Sequence, residues 1–233
     1  MFPFDRPTGY GEMLNKIGLS TFLCTLALTW VVGHFSAPIA ALLKSETTTV
    51  EILTVKIPLL YVVPAAIIAI AARVVRLHDK ISNVLGIRER FDLNRILIPL
   101  CQALQIPVDN RFKEKLRNQR TSVMARTFYR YASFEEPKIS KALVLSSADR
   151  WTWYWILLEG CAVLAIAGAA LLGLRAYAGA GAVLAVLLIA VLVFSTYYSV
   201  CGRLADAQIE EIVADGQRAD EVTAEFQRIR NQP

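Results

Sequence analysis

One carboxyl group sits where carboxyl groups are costly. Glu159 interrupts an apolar run, about one helical turn after Trp155. An acid at the centre of a membrane helix costs roughly 2.5–3.5 kcal/mol on insertion scales, so Glu159 must face protein or water rather than lipid. Two roles fit: a ring of carboxylates at a pore mouth, one per subunit, or a partner for Arg73 or Arg76. Apart from Glu159, the only Asp, Glu, Lys, Arg or His residues in the apolar runs are His34 and Lys56. A lone histidine without a second ligand makes no metal site, so His34 is expected to bond a neighbouring helix. Lys56 is expected to reach the outer interface with its flexible stem.

A second group is cationic. Lys113, Arg117 and Arg120 recur at i, i+4 and i+7 of a predicted helix over 111–131, with Arg126 and Arg130 beyond them. This face would suit a phosphate-bearing ligand, nucleic acid or anionic lipid, or a cytosolic protein partner. Ordinary positive charge on the cytoplasmic side would produce the same pattern. Aromatic residues do not interleave it as a single-strand nucleic-acid site requires, and no motif supports a nucleic acid or nucleotide ligand. A third group is steric. Cys161, Ala165, Ala169 and Gly173 place small side chains on one stripe every four residues, which lets helix backbones approach closely. The stripe serves either the fourth helix or another subunit.

Catalytic signatures are missing: no phosphate-binding loop, HExxH or GxSxG occurs. The four cysteines, Cys24, Cys101, Cys161 and Cys201, have neither zinc nor disulfide-framework spacing. The expectation is a protein that is not an enzyme, with no metal and no cofactor.

The elements carrying these residues are four apolar runs in two pairs, near 19–43, 53–72, 153–174 and 179–200. Each approaches the ~20 residues a helix needs to cross a bilayer. Hydrophobic residues make up 55% of the 233-residue chain and charged residues only 19%, below what a soluble domain usually carries. Asp5 and Glu12 make a poor signal sequence, so the first run reads as a retained helix. Between the pairs, residues 73–150 hold 16 Lys and Arg against 8 Asp and Glu, while residues 203–233 hold 4 against 7. Basic middle and acidic tail are expected to attract each other, within or between subunits.

Counting basic residues on the two sides gives 22 against 3, which places both termini and the middle segment in the cytoplasm. Trp151, Trp153, Tyr154, Trp155, Tyr197 and Tyr198 are expected at the headgroup level. Asp92 and Asp109 are candidate helix caps, and Pro137 suits the first turn of a helix toward the third span. The reading is an all-α integral membrane protein with four transmembrane helices in two hairpins and a mostly helical cytoplasmic domain between them. Its parts are a cytoplasmic N-terminus (1–18), a first transmembrane hairpin (19–72), the basic domain (73–150), a second hairpin (151–200) and a cytoplasmic amphipathic helix (201–233).

Arg73-Val74-Val75-Arg76 leaving one span and Trp151-Thr152-Trp153-Tyr154-Trp155 entering the next give the chain a layout that resembles small four-span membrane proteins of bacterial antiphage defence operons. The resemblance lies in architecture and carries no functional positions over. It implies a membrane sensor or an oligomeric membrane-disrupting effector beside a soluble partner, in a bacterial inner membrane. Two functions are therefore expected. One is a homo-oligomeric, channel-like or membrane-perturbing effector gated through its cytoplasmic domain. The other is a membrane-anchored sensor or adaptor that recruits a cytosolic protein through the basic domain.

Overall fold

The computed structural model describes residues 6–44, 48–52 and 55–232. The chain is overwhelmingly helical. In order it forms α1 (Tyr10–Phe35), α2 (Ala37–Lys44), β1 (Thr49–Ile52), β2 (Val55–Pro58), α3 (Leu59–Val74), α4 (Leu77–Val84) and α5 (Ile87–Phe91). A π-helical stretch, Asp92–Leu97, leads into α6 (Ile98–Ala103), α7 (Asn110–Asn118) and α8 (Arg120–Thr127). Two long helices follow, α9 (Lys141–Gly173) and α10 (Tyr177–Val213), and then α11 (Gly216–Arg230).

Three helices, α1, α9 and α10, are long and apolar enough to cross a membrane. The pair α3 and α4 passes the same test only together and is bent by 61° at the break between them. The second apolar run is thus not one straight helix over 53–72. Residues 53 and 54 lie outside the described residues, and 55–58 form a strand. β-Branched residues dominate this stretch, and they favour strands. Val50 pairs with Ile57 and Glu51 with Lys56 across the antiparallel hairpin. Pro58 then sits at the N-cap of α3, where its missing N–H costs nothing. An all-helical chain is corrected to this extent. Pro64 lies inside α3. The break after α3 follows from Arg76, whose φ of 49° is left-handed and cannot continue a helix. In the first run, Pro38 has no N–H to return to the turn before it, and α1 gives way to α2 at Ser36.

The described residues cluster into two compact units: 14–80 with 152–197, and 6–13 with 81–151 and 198–232. The core of the first joins Leu28 of α1 to Leu164, Ala167 and Leu171 of α9 and Ala180 and Val183 of α10. A Cβ added at Gly179 would lie 2.7 Å from Phe35 Cγ and 2.8 Å from Phe35 Cβ, so only glycine lets α1 end against the start of α10. Gly179→Ala is expected to destabilise this unit by about 1–3 kcal/mol, as overpacking does. Thermal unfolding of the detergent-solubilised chain checks this, and adding Phe35→Ala should recover most of the loss.

The second unit has its own apolar core, with Phe91, Leu97, Leu100, Phe112, Leu116 and Ile212 fully buried. The expected helix over 111–131 is two, α7 and α8, parted at Gln119. Asp109 caps α7, its carboxylate accepting from Phe112 N at 2.7 Å. Asp92 caps nothing: it lies within continuous helical backbone, buried opposite Arg120. Pro137 precedes the helix it was expected to begin, since α9 starts at Lys141.

Burial pushes the Asp92 carboxyl up to about 6, with Arg120 and Arg88 offsetting part of the rise. The folded chain therefore keeps a proton that the unfolded chain releases between about pH 4 and 6. Stability from this group is fully present below about pH 4 and is lost as pH rises through about 6. The two-unit difference corresponds to about 3 kcal/mol. Asp92→Asn should remove this dependence, so the stability difference, variant minus wild type, should rise from pH 5 to 7.5. A gap that stays constant over that range would contradict the assignment.

Candidate functional site at a broken helix

The site is built in the first unit from α1, the break before α4, and α9. In α1, Thr25 Oγ1 donates to Thr21 O at 2.8 Å and Thr29 Oγ1 to Thr25 O at 2.8 Å. Returning a hydroxyl to the preceding turn lets threonine reside in an apolar helix. Thr21 Oγ1 instead points across to α9 and donates to Glu159 Oε2 at 2.6 Å. The other oxygen of Glu159 accepts from the backbone N–H of His78 at 3.0 Å and lies 3.1 Å from His78 Nδ1.

His78 is the second residue of α4, so its N–H belongs to the first turn, where the helix offers no internal acceptor. The break at Arg76 creates that orphan donor, and a carboxyl from another helix satisfies it. Helix N-termini favour this, because the macrodipole places partial positive charge there. Both side chains are closed off, with 1% of Glu159 and 2% of His78 exposed. The imidazole packs 5.7 Å from the Trp155 ring, and its Nε2 lies 3.9 Å from Asp79. The result is a polar chain Asp79–His78–Glu159–Thr21 across three helices. It can hold the broken helix in one geometry.

The aromatics expected at the headgroup level share in the packing. Tyr154 is buried and stacks on Phe194 at 4.3 Å, and Trp153 lies 4.7 Å from the buried ammonium of Lys16. His34 is elsewhere: it is exposed, stacked on Trp30 at 5.7 Å with its edge to Phe35. Lys56 is exposed on β2 opposite Glu51. In the small-residue stripe, Ala165, Ala169 and Gly173 are exposed and Cys161 is half-buried. The face of α9 that packs inward is instead Leu164, Ala167, Gly168 and Leu171. A Cβ at Gly168 would touch Leu184 at 3.4 Å.

The cationic candidates belong to the second unit, and four of the five hold acids within it. Arg117 pairs with Glu89 at 2.8 Å, Arg120 with Asp92 at 2.9 Å, Arg126 with Glu225 at 3.1 Å and Arg130 with Glu221 at 2.9 Å. Lys113 is exposed. Lys115 donates to the carbonyls of Arg230 and Gln232. Glu221 and Glu225 of α11 thus meet the basic side chains of the α7–α8 segment, and Arg126 and Arg130 are paired with this chain's own tail while staying about half exposed. Among the described residues no three His, Cys, Asp or Glu side chains converge as a metal site would need.

His78 is not among the residues that the sequence singles out. Its signal was a histidine two residues past a helix break. The threonines of α1, spaced every four residues, were the other clue. The family model described as the YmfE protein family matches residues 9–224. No curated protein and no solved structure matches the chain.

Proposed function

The chain belongs to the YmfE protein family, and on that premise we propose that it is a homo-oligomeric, channel-like or membrane-perturbing effector. The reading includes four spans, the second being the bent pair α3–α4, with both termini and the second unit on the cytoplasmic side. One observation carries it: an ionisable pair, Glu159 and His78, is buried between apolar helices at a broken helix. Such groups are expensive in a membrane segment and mark ion paths, relays or gates. Discontinuous helices place backbone groups where ions or polar switches act.

In this reading the Glu159–His78–Thr21 contact is a lock that keeps α4 against α9 and the path closed. Glu159 then acts as the latch rather than as a standing ring at a pore mouth. The exposed stripe of Ala165, Ala169 and Gly173 supplies a close-packing face for another subunit. A ring of subunits is needed, because one chain with so few polar membrane residues encloses no water path. α9 and α10 each contribute to both units, which supports control through the cytoplasmic part. Antiviral defence in a bacterial inner membrane is the setting that the architectural resemblance suggests.

The test is the mass of the nanodisc-embedded assembly, with planar-bilayer recording on the same sample. The expected result is a defined oligomer with unitary currents, and a several-fold higher open probability for Glu159→Gln. An assembly that stays silent in both wild type and Glu159→Gln would overturn the reading in favour of a membrane-anchored adaptor.

A further inference from the structure

We propose that the turn joining α4 to α5, with Arg90 and Arg95, is a docking surface for anionic phospholipid at the membrane interface. All of its parts lie in the second unit. Val84 is 87% exposed and Leu85 51%, an adjacent apolar pair at the tip of a tight turn. Gly86 makes that turn with φ of 63°, a conformation that suits glycine. A Cβ on Gly86 would lie 3.8 Å from Arg90 Nε, so the Arg90 side chain reaches back to the turn that carries the apolar pair.

Tyr198 fixes the level. It follows the long apolar stretch of α10, where phenol rings seek the headgroup region. Phe91 of α5 meets its ring edge-on at 5.4 Å between centroids. The guanidinium charges of Arg95 and Arg90 both act on the Tyr198 hydroxyl. Arg95 also lies along α10, its Nε 3.5 Å from where a Gly202 Cβ would be.

Arg90 and Arg95 are exposed, and among the described residues neither is held in an ion pair, unlike Arg117, Arg120, Arg126 and Arg130. Two uncommitted cations beside an interfacial tyrosine and an exposed apolar tip match an anionic headgroup with its acyl chain. Each such cation near an anionic membrane surface is worth ~1 kcal/mol, or roughly five-fold in binding.

The experiment is native mass spectrometry of the full chain in detergent, titrated with phosphatidylglycerol and with phosphatidylcholine. Wild type should retain phosphatidylglycerol with a preference of roughly tenfold or more over phosphatidylcholine. Arg90→Gln with Arg95→Gln should abolish the preference, and Arg90→Lys with Arg95→Lys should keep most of it. Val84→Ser with Leu85→Ser should weaken retention of both lipids. An unchanged preference in the glutamine pair would overturn the proposal. So would loss of the preference in the lysine pair, or inorganic phosphate displacing the lipid at millimolar concentration. If the glutamine pair fails to fold, wild type in 0.5 M salt replaces it, and a preference undiminished there overturns the proposal equally.

Discussion

Glu159→Ala is expected to cost on the order of 3 kcal/mol or more in stability, the largest loss from any single polar side chain in this protein. The carboxyl accepts from the Thr21 hydroxyl and the His78 backbone N–H and contacts the His78 ring. Each buried donor left without an acceptor costs about 1–3 kcal/mol, and both donors lie where the intact chain is closed to solvent. The orphaned N–H stands at the start of α4, so the damage should centre on the break between α3 and α4. Hydrogen exchange of the chain in detergent should show lost protection at residues 77–81, alongside a lower unfolding temperature. Glu159→Gln retains one carbonyl oxygen and should cost clearly less. Equal losses for the two variants would show that side-chain volume, not the accepting oxygen, is what matters.

The second large effect concerns the tail. Phe226→Ala is expected to destabilise the second unit by about 3–5 kcal/mol, the range for truncating a buried aromatic. Phe226 is 0% exposed and meets Phe112 edge-on, with Val222 and Ile229 buried beside it. The ion pairs on the same helix are much weaker by comparison. Arg126 and Arg130 are about half exposed, and exposed pairs contribute ~0–1 kcal/mol. Arg126→Gln should therefore change stability by under about 1 kcal/mol. The charges select which face of α7–α8 the tail meets, and the apolar side chains hold it there. Chemical denaturation of the two variants separates these roles. If Arg126→Gln proved the costlier change, the tail would be an electrostatic clamp instead.

Composition and periodicity identified the apolar helices, because a span of ~20 apolar residues is a property of one segment. The Asp109 cap was legible for the same reason: it involves residues three apart. The attraction between basic middle and acidic tail was legible as net charge, but the partners Arg126–Glu225 and Arg130–Glu221 depend on which faces meet. The straight second span failed locally. A β-branched stretch before Pro58 competes with helix, and the left-handed Arg76 divides what hydropathy alone would join.

By itself the sequence determined that this is a membrane protein built of helices, with one acid that had to find protein or water. Burial cost and hydropathy are written residue by residue. Only the tertiary structure decided what that acid meets. Thr21, His78 and Glu159 are separated by up to 138 positions and come together because a kinked backbone exposes one N–H that a distant carboxyl can accept. Likewise, only packing decided that four of the five cationic candidates are paired with acids within their own unit, whereas among the described residues Arg90 and Arg95 are not. Side-chain pairing is a property of surfaces brought together by folding, and no local pattern encodes it.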